Sequence, residues 1–479
     1  MTTLVLLHRW LGIGFCLLFA MWFASGIVMH FVPFPSLTEA ERFSGLPPID
    51  LSQVRHGPDE AVSASGAGNA RRVRLLQRPD GPVYVIAGSS EFVAFHASDL
   101  SDASVKSEPL ALTIAQDHAR QRGLEVSRAL LAGVADYDQW SVPNGFDGHR
   151  PLYRVALNDA AGTELYVSAS TGEVVLATEH TERVWNYVGS VAHWIYPTAL
   201  RKHAAAWDDI VWALSLTALI AAIAGTVLGV ARLRISAGRV ASPFRGWHAW
   251  HHILGLFTAT FVLSWIFSGW LSMDRGLLFS RGGLSAAEAA RIAAAPDWSL
   301  VASNQRSITT PVKQVEWFAL GDRFYRRDQA SLDSQSLSAT GAATKNPGPF
   351  LSAREVEAFV RPIAPDCMAP VPVGAYDDYA MTSLIPAAPV FRSICGDVWF
   401  DIDGATGAIL ERLDSSRRSY RWLYSGLHTL DFPMLQDHPT LRSALIIALC
   451  ALGFIFSVTG AVIGWRRMRV QFSSHHEPI

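Results

Sequence analysis

Histidines are the residues of this 479-residue chain whose placement could do chemistry. His8 lies in LHRWLGIGFCLLFAMWFASGIVM (7–29), and His251 lies at the same place in WHHILGLFTATFVLSWIFSGWLS (250–272). In that alignment Gly12 falls on Gly255, and Ser25-Gly26 on Ser268-Gly269. A second matched pair, HWIYPTALRKH and HTLDFPMLQDH, sets His193 on His428 and His203 on His438. The helices that follow end alike, in AGTVLGVARLRI and TGAVIGWRRMRV. Imidazole is a common metal ligand. Haem needs one or two such ligands, an apolar slot and close backbone approach, which helix bundles supply from facing helices. Gly12, Gly14, Gly26, Gly255 and Gly269 would allow that approach. No Cys-x-x-Cys-His occurs, so attachment would be non-covalent, as in b-type haem.

His8 and His30 are 22 residues apart, ~33 Å along a helix and ~40° apart in phase, so they share a face near opposite ends. His248, His251 and His252 cluster at i, i+3 and i+4. The second and fourth apolar segments carry no histidine at their inner ends, so an inner centre draws on His8 and this cluster, with His8–His251 preferred by the repeat. The same symmetry prefers His193–His428 on the outer side, over His203, His438 and His30, whose counterpart is Met273. The plain alternative is a set of polar residues at a wet membrane boundary. His56, His96, His118, His149, His180, His475 and His476 show no such pattern and read as surface residues.

These residues need long apolar helices to position them. The chain is 50% hydrophobic and 17% charged. Apolar runs near 10–29, 210–231, 253–273 and 443–465 each reach the ~20 residues that cross a hydrocarbon core. The first is too long for a cleaved signal and has no small-residue cleavage site after it. Arg232, Arg234, Arg239 and Arg245 fill one short loop, and Arg466, Arg467 and Arg469 follow the last run. The positive-inside rule puts both termini and that loop in the cytoplasm. The expected organisation is four membrane helices (1–33, 201–232, 247–274 and 433–466), outer domains at 34–200 and 275–432, a cytoplasmic loop at 233–246 and a cytoplasmic tail at 467–479. Aromatic residues near the helix ends, such as Trp10, Trp194, Trp247 and Trp422, suit an interfacial belt.

Each outer region reads as α+β. Thr38-x-x-Glu41 and Ser285-x-x-Glu288 are capping boxes that open helices. RRVRLLQ and PVYVIAG flank an Asp80-Gly81 turn, and ALTIAQDHARQRG reads as a helix. Both regions close with strands around a Thr-Gly turn, at Gly172 and at Gly407. Residues 333–349 read as a loop. Cys367 and Cys395 share the second outer region, where an oxidising compartment permits a disulfide. DYDQW (136–140) and YDDYAM (376–381) recur, as strand caps or as holders of a cationic or ferric ligand. Net charge is near zero, and no nucleic-acid partner is expected. No phosphate loop, His-Glu-x-x-His or Ser/His/Asp order supports hydrolysis. The cytoplasmic parts are too small for a nucleotide-binding domain.

LHRWLGIGF with SGIVM, YRVALNDAAGTELYVSASTGEVV, VGSVAHWIYPTALR and GLHTLDFPML resemble the PepSY-associated transmembrane proteins of bacterial inner membranes, over nearly the whole chain. That family includes iron-regulated membrane proteins and dihaem ferric-siderophore reductases. The resemblance implies periplasmic PepSY-like domains, a four-helix haem-binding bundle, two b-type haems, and haem ligands at His8, His251, His193 and His428. The expectation is therefore an oxidoreductase of the inner membrane, in contact with membrane lipid. It would take electrons from a quinol or a separate cytoplasmic reductase and reduce ferric iron or a ferric siderophore. The alternatives are a non-redox PepSY protein that binds a periplasmic partner such as a peptidase, and a metal or siderophore transporter.

Overall fold

The computed structural model describes residues 1–473 except 68, 89–90, 237–238, 277, 293–294, 302–310, 340–347, 375–376 and 380–387. It divides into two compact units. One comprises Met1–Phe34, Val184–Ser280 and Arg418–Ile479, and the other Pro35–Arg183 and Arg281–Arg417.

Among the described residues, four helices in the first unit are long and apolar enough to cross a membrane: Thr2–Phe31, Ala204–Ala231, Trp247–Met273 and Pro439–Val470. They correspond to the four expected spans. The chain is thus a membrane protein with an additional α+β unit. The helices pack in a ring: the first touches the second and fourth, and the third touches the same two. Each is apolar all round, as a helix between lipid and a bundle core must be. Phe23, Ala218, Leu219, Val262, Trp265, Ile266 and Cys450 fill the middle of the bundle. Gly453 makes room there, because a β-carbon on it would lie 2.7 Å from the Phe23 ring.

The second unit is built from both long connections. Its six-stranded antiparallel sheet runs in the order Gln335–Ala339, Arg323–Gln329, Gln314–Leu320, Arg72–Arg78, Gly81–Ala87, Phe92–His96. The central pairing sets Arg72 opposite Phe318 and Leu76 opposite Gln314, so strands from the two sequence copies join edge to edge. The two regions expected as separate domains therefore share one sheet. Each copy keeps its own four-stranded sheet and helix, with Glu108–Gln121 over one and Ala353–Ile363 over the other. Gln335–Ala339 is a strand where the small-residue composition suggests loop.

Local signals explain the elements. In both expected capping boxes the side chains and backbone exchange hydrogen bonds, Glu41 N to Thr38 Oγ1 at 3.2 Å and Glu288 N to Ser285 Oγ at 3.3 Å. The Thr-Gly turns need left-handed backbone, and Gly172 (φ 71°) and Gly407 (φ 69°) supply it. Cys367 and Cys395 form a disulfide. Inside the joined sheet, Glu316 is 1% exposed and pairs with Arg72 at 3.0 Å and with Arg327. Burial pushes its carboxyl up, but the two guanidinium groups outweigh that and hold it below the usual range.

Candidate functional site

The histidines converge as two facing pairs in the helical unit. His8 and His251 come from diagonally opposed helices, and their ring centroids lie 6.3 Å apart. His193 ends the short helix Ser190–His193, and His428 sits in Leu427–Thr429; their centroids are also 6.3 Å apart. The rings are inclined by 34° in the first pair and 72° in the second.

Hydrogen bonds anchor Nδ1 of all four rings. His8 Nδ1 lies 3.2 Å from the Ala221 carbonyl, which can only accept, so Nδ1 carries the proton. His193 Nδ1 meets Ser25 Oγ at 3.0 Å, and that hydroxyl gives its own hydrogen to the Met21 carbonyl at 2.6 Å. His428 Nδ1 meets Ser268 Oγ at 3.0 Å, and Ser268 donates to the Trp265 carbonyl at 3.1 Å. His251 Nδ1 meets Thr459 Oγ1 at 2.9 Å, and Thr459 donates to the Phe456 carbonyl at 2.6 Å. Nδ1 of His8 is therefore the donor, and at the other three rings a hydroxyl already bonded to a carbonyl offers Nδ1 an acceptor, an arrangement that leaves Nε2 its lone pair. A histidine that ligates a metal through Nε2 needs this arrangement, with the other nitrogen anchored. Burial also lowers the His193 and His428 imidazoles well below their ordinary pKa, so both are neutral at physiological pH.

A glycine lies against every ring. A β-carbon on Gly225 would sit 2.5 Å from His8 Cε1, on Gly460 3.4 Å from His251 Cε1, on Gly26 3.8 Å from His193 Cε1, and on Gly269 3.3 Å from His428 Cε1. Of the glycines expected to allow approach of a haem ring, Gly26 and Gly269 lie beside His193 and His428. Gly12 and Gly14 have nothing within 4 Å, and Gly255 receives the Phe456 ring instead. Gly225 and Gly460 lie beside His8 and His251, and both stand in the matched segments AGTVLGV and TGAVIGW.

His8 and Ser25 are 17 residues apart on one helix, as are His251 and Ser268 on another. That separation sets the pairs ~25 Å apart along the bundle axis. Phe23, Phe261 and Trp265 occupy the space between, with ring centroids 5.6 to 6.5 Å apart.

The remaining candidates lie elsewhere. His252 has both nitrogens engaged, Nδ1 with Ser242 Oγ at 2.9 Å and Nε2 with the Gly229 carbonyl at 2.8 Å, so it braces the helix. His248, His203 and His438 are exposed. His30 packs against Phe31, 5.2 Å between centroids. Outside the bundle, His118 is buried, at 6% exposure, and not a surface residue. His149 is half-buried and stacks on Phe92 at 4.4 Å. His475 and His476 lie outside the described residues. In DYDQW, Asp138 accepts from Trp140 N, Ser141 N and the Tyr166 hydroxyl, which makes it a loop cap. Of YDDYAM, Tyr376, Ala380 and Met381 lie outside the described residues, and Asp377 pairs with Arg392 at 2.7 Å.

Among the described residues no group of three or more His, Cys, Asp and Glu side chains could hold a metal ion. Each pair brings two imidazoles together. Ser25, Ser268, Thr459 and the Ala221 carbonyl are the supporting groups that reading the sequence does not identify. No family model matches the chain, and no curated protein matches its sequence.

Proposed function

We propose that the chain is a dihaem b-type electron-transfer protein of the bacterial inner membrane that reduces ferric iron or a ferric siderophore on the periplasmic side. The 6.3 Å separation in both pairs carries this reading. Two imidazoles on opposite sides of one iron, with metal–nitrogen bonds of about 2.0 Å, put their ring centroids roughly 6 Å apart. The free Nε2 lone pairs, the anchored Nδ1 atoms and the glycine beside each ring fit the same group.

Bound haem would supply a one-electron couple at each end of the bundle. The protein's own work is to hold each imidazole in the ligating tautomer, to exclude water with the Phe23, Phe261 and Trp265 layer, and to keep the two centres apart in an apolar medium. Arginines 232, 234, 239 and 245 favour a cytoplasmic His8–His251 pair and a periplasmic His193–His428 pair. Electrons would enter from a quinol or a separate reductase and leave toward a periplasmic acceptor. Ferric iron is bound more tightly than ferrous iron by hard oxygen chelators, so reduction releases it.

The test is an absorption spectrum with pyridine haemochrome stoichiometry, on the wild type, His8→Ala and His428→Ala. Two haems per chain, with one lost in each variant, is the expected result. Haem-replete expression that yields protein without a Soret band would favour a non-redox role, and unchanged haem in both variants would remove the ligand assignment.

A further inference from the structure

The two sequence copies differ at a buried position that leads into the His193–His428 pair. Seven residues before His193 stands Asn186, and seven before His428 stands Arg421. Asn186 is buried and engaged: its amide donates to the Pro33 carbonyl at 2.9 Å, and its side-chain oxygen accepts from Ser190 Oγ at 2.7 Å. Arg421 is only 3% exposed, and none of Nε, Nη1 and Nη2 makes a hydrogen bond. The Asp431 carboxylate approaches Nη2 at 3.2 Å, and its Oδ1 is taken by Gln436 at 2.7 Å. A guanidinium carries five donors in a planar fork, and burying them unfilled costs free energy.

The backbone ties this cation to the histidine. Arg421–Gly426 is a π-helical turn that runs directly into Leu427–Thr429. Such turns are frequent at functional sites. The turn packs on the third long helix, which also supplies Ser268 to His428. Tyr420, Tyr424 and His428 stack in series, 5.4 Å from ring to ring.

The geometry points to Arg421 as the docking residue for a carboxylate of the group held between His193 and His428; this rests on the dihaem reading, under which that carboxylate is a haem propionate. A bidentate pair would fill two of the empty donors, in the geometry for which guanidinium is suited. A buried positive charge there would also favour the reduced state of the iron. Asn186 adds no charge from the other copy, so the effect belongs to this pair alone.

The test is a potentiometric titration of the full chain carrying both haems, with no acceptor added. Arg421→Gln should move one of the two waves to lower potential, by about tenfold in its reduction equilibrium, or about 59 mV for one electron. The other wave should stay. Arg421→Lys, which keeps the charge and loses the fork, should fall between. Asp431→Asn should move the same wave upward. If Arg421→Gln does not accumulate, the lysine and Asp431 variants decide. Two haems with both waves unmoved would overturn the docking role and leave the dihaem reading standing. Wild-type protein without haem would overturn the dihaem reading itself.

Discussion

Ser268 and His428 meet at 3.0 Å through Oγ and Nδ1, and Ser25 and His193 repeat that contact at the same distance. The two serines occupy matched positions on the first and third long helices. Each helix therefore reaches across to orient a histidine that belongs to the other kind of segment, the short lead into the second or fourth helix. The duplicated unit closes on itself by this exchange.

Removing one of these hydroxyls leaves the imidazole free to rotate. Ser268→Ala should weaken haem retention at the His193–His428 pair by roughly 10- to 100-fold, as outer-shell changes at metal sites do. It should also shift the low-spin electron paramagnetic resonance signal of that haem alone. Ser268→Thr should restore both. A Ser268→Ala protein with unaltered haem content and spectrum would remove the orienting role.

The sequence and the structure agree where a local pattern has few partners available. The second and fourth helices hold no inner histidine, so His8 could meet only the cluster on the third, and His251 is the member that faces it. Symmetry was enough to choose His193 and His428 among five candidates. The supporting atoms were harder to read. The Ala221 carbonyl has no side-chain signature, and a helical serine is ordinarily taken to bond only its own preceding turn. Gly14 and Gly225 look equivalent in sequence, because a helix apolar all round does not reveal which face turns inward. The joining of Arg72–Arg78 to Gln314–Leu320 was invisible for another reason: strand periodicity states which face is buried but not which distant strand is the neighbour.

His118 should make the α+β unit acid-sensitive. Burial, with help from the Arg122 and Arg42 charges, pushes its pKa from 6.5 down to about 3. The unfolded chain then binds a proton that the folded chain does not, at every pH between those values. Stability is therefore intact above the ordinary histidine pKa and falls as pH drops through that window, by up to about 1.4 kcal/mol per pH unit. Hydrogen exchange of the Glu108–Gln121 helix in the full chain at pH 7 and pH 5 would report it. His118→Gln should flatten the dependence, and a slope as steep in that variant would exclude His118 as its source.

The disulfide should matter mainly to the second copy's sheet. Cys367 and Cys395 are 28 residues apart. Closing a loop of that length removes chain entropy equivalent to about 3–4 kcal/mol from the unfolded state. The Cys367→Ser/Cys395→Ser chain should unfold at lower denaturant concentration, with loss of protection beginning in Val390–Cys395. Haem content of the bundle is the internal control, since the four histidines belong to the other compact unit. Equal denaturant midpoints with and without the bridge would contradict the expectation.

Gly225 and Gly14 give the sharpest discrimination between a glycine that receives a ring and one that does not. A β-carbon at Gly225 would lie 2.5 Å from His8 Cε1 and 3.0 Å from Nδ1, so the imidazole must leave its place and its bond to Ala221. Gly14 is exposed, lies off the His8 face and has nothing within 4 Å. Both are helix-interior positions, where alanine is favoured over glycine by about 1 kcal/mol in a soluble helix, so any loss must come from the ring. Gly225→Ala should lose most of the haem bound by His8 and His251 while the second haem stays. Gly14→Ala should keep both. The readout is pyridine haemochrome stoichiometry, with the α-band resolved at low temperature to tell the two haems apart. Equal losses in the two variants would mean that helix packing in general, and not the seat of His8, sets occupancy.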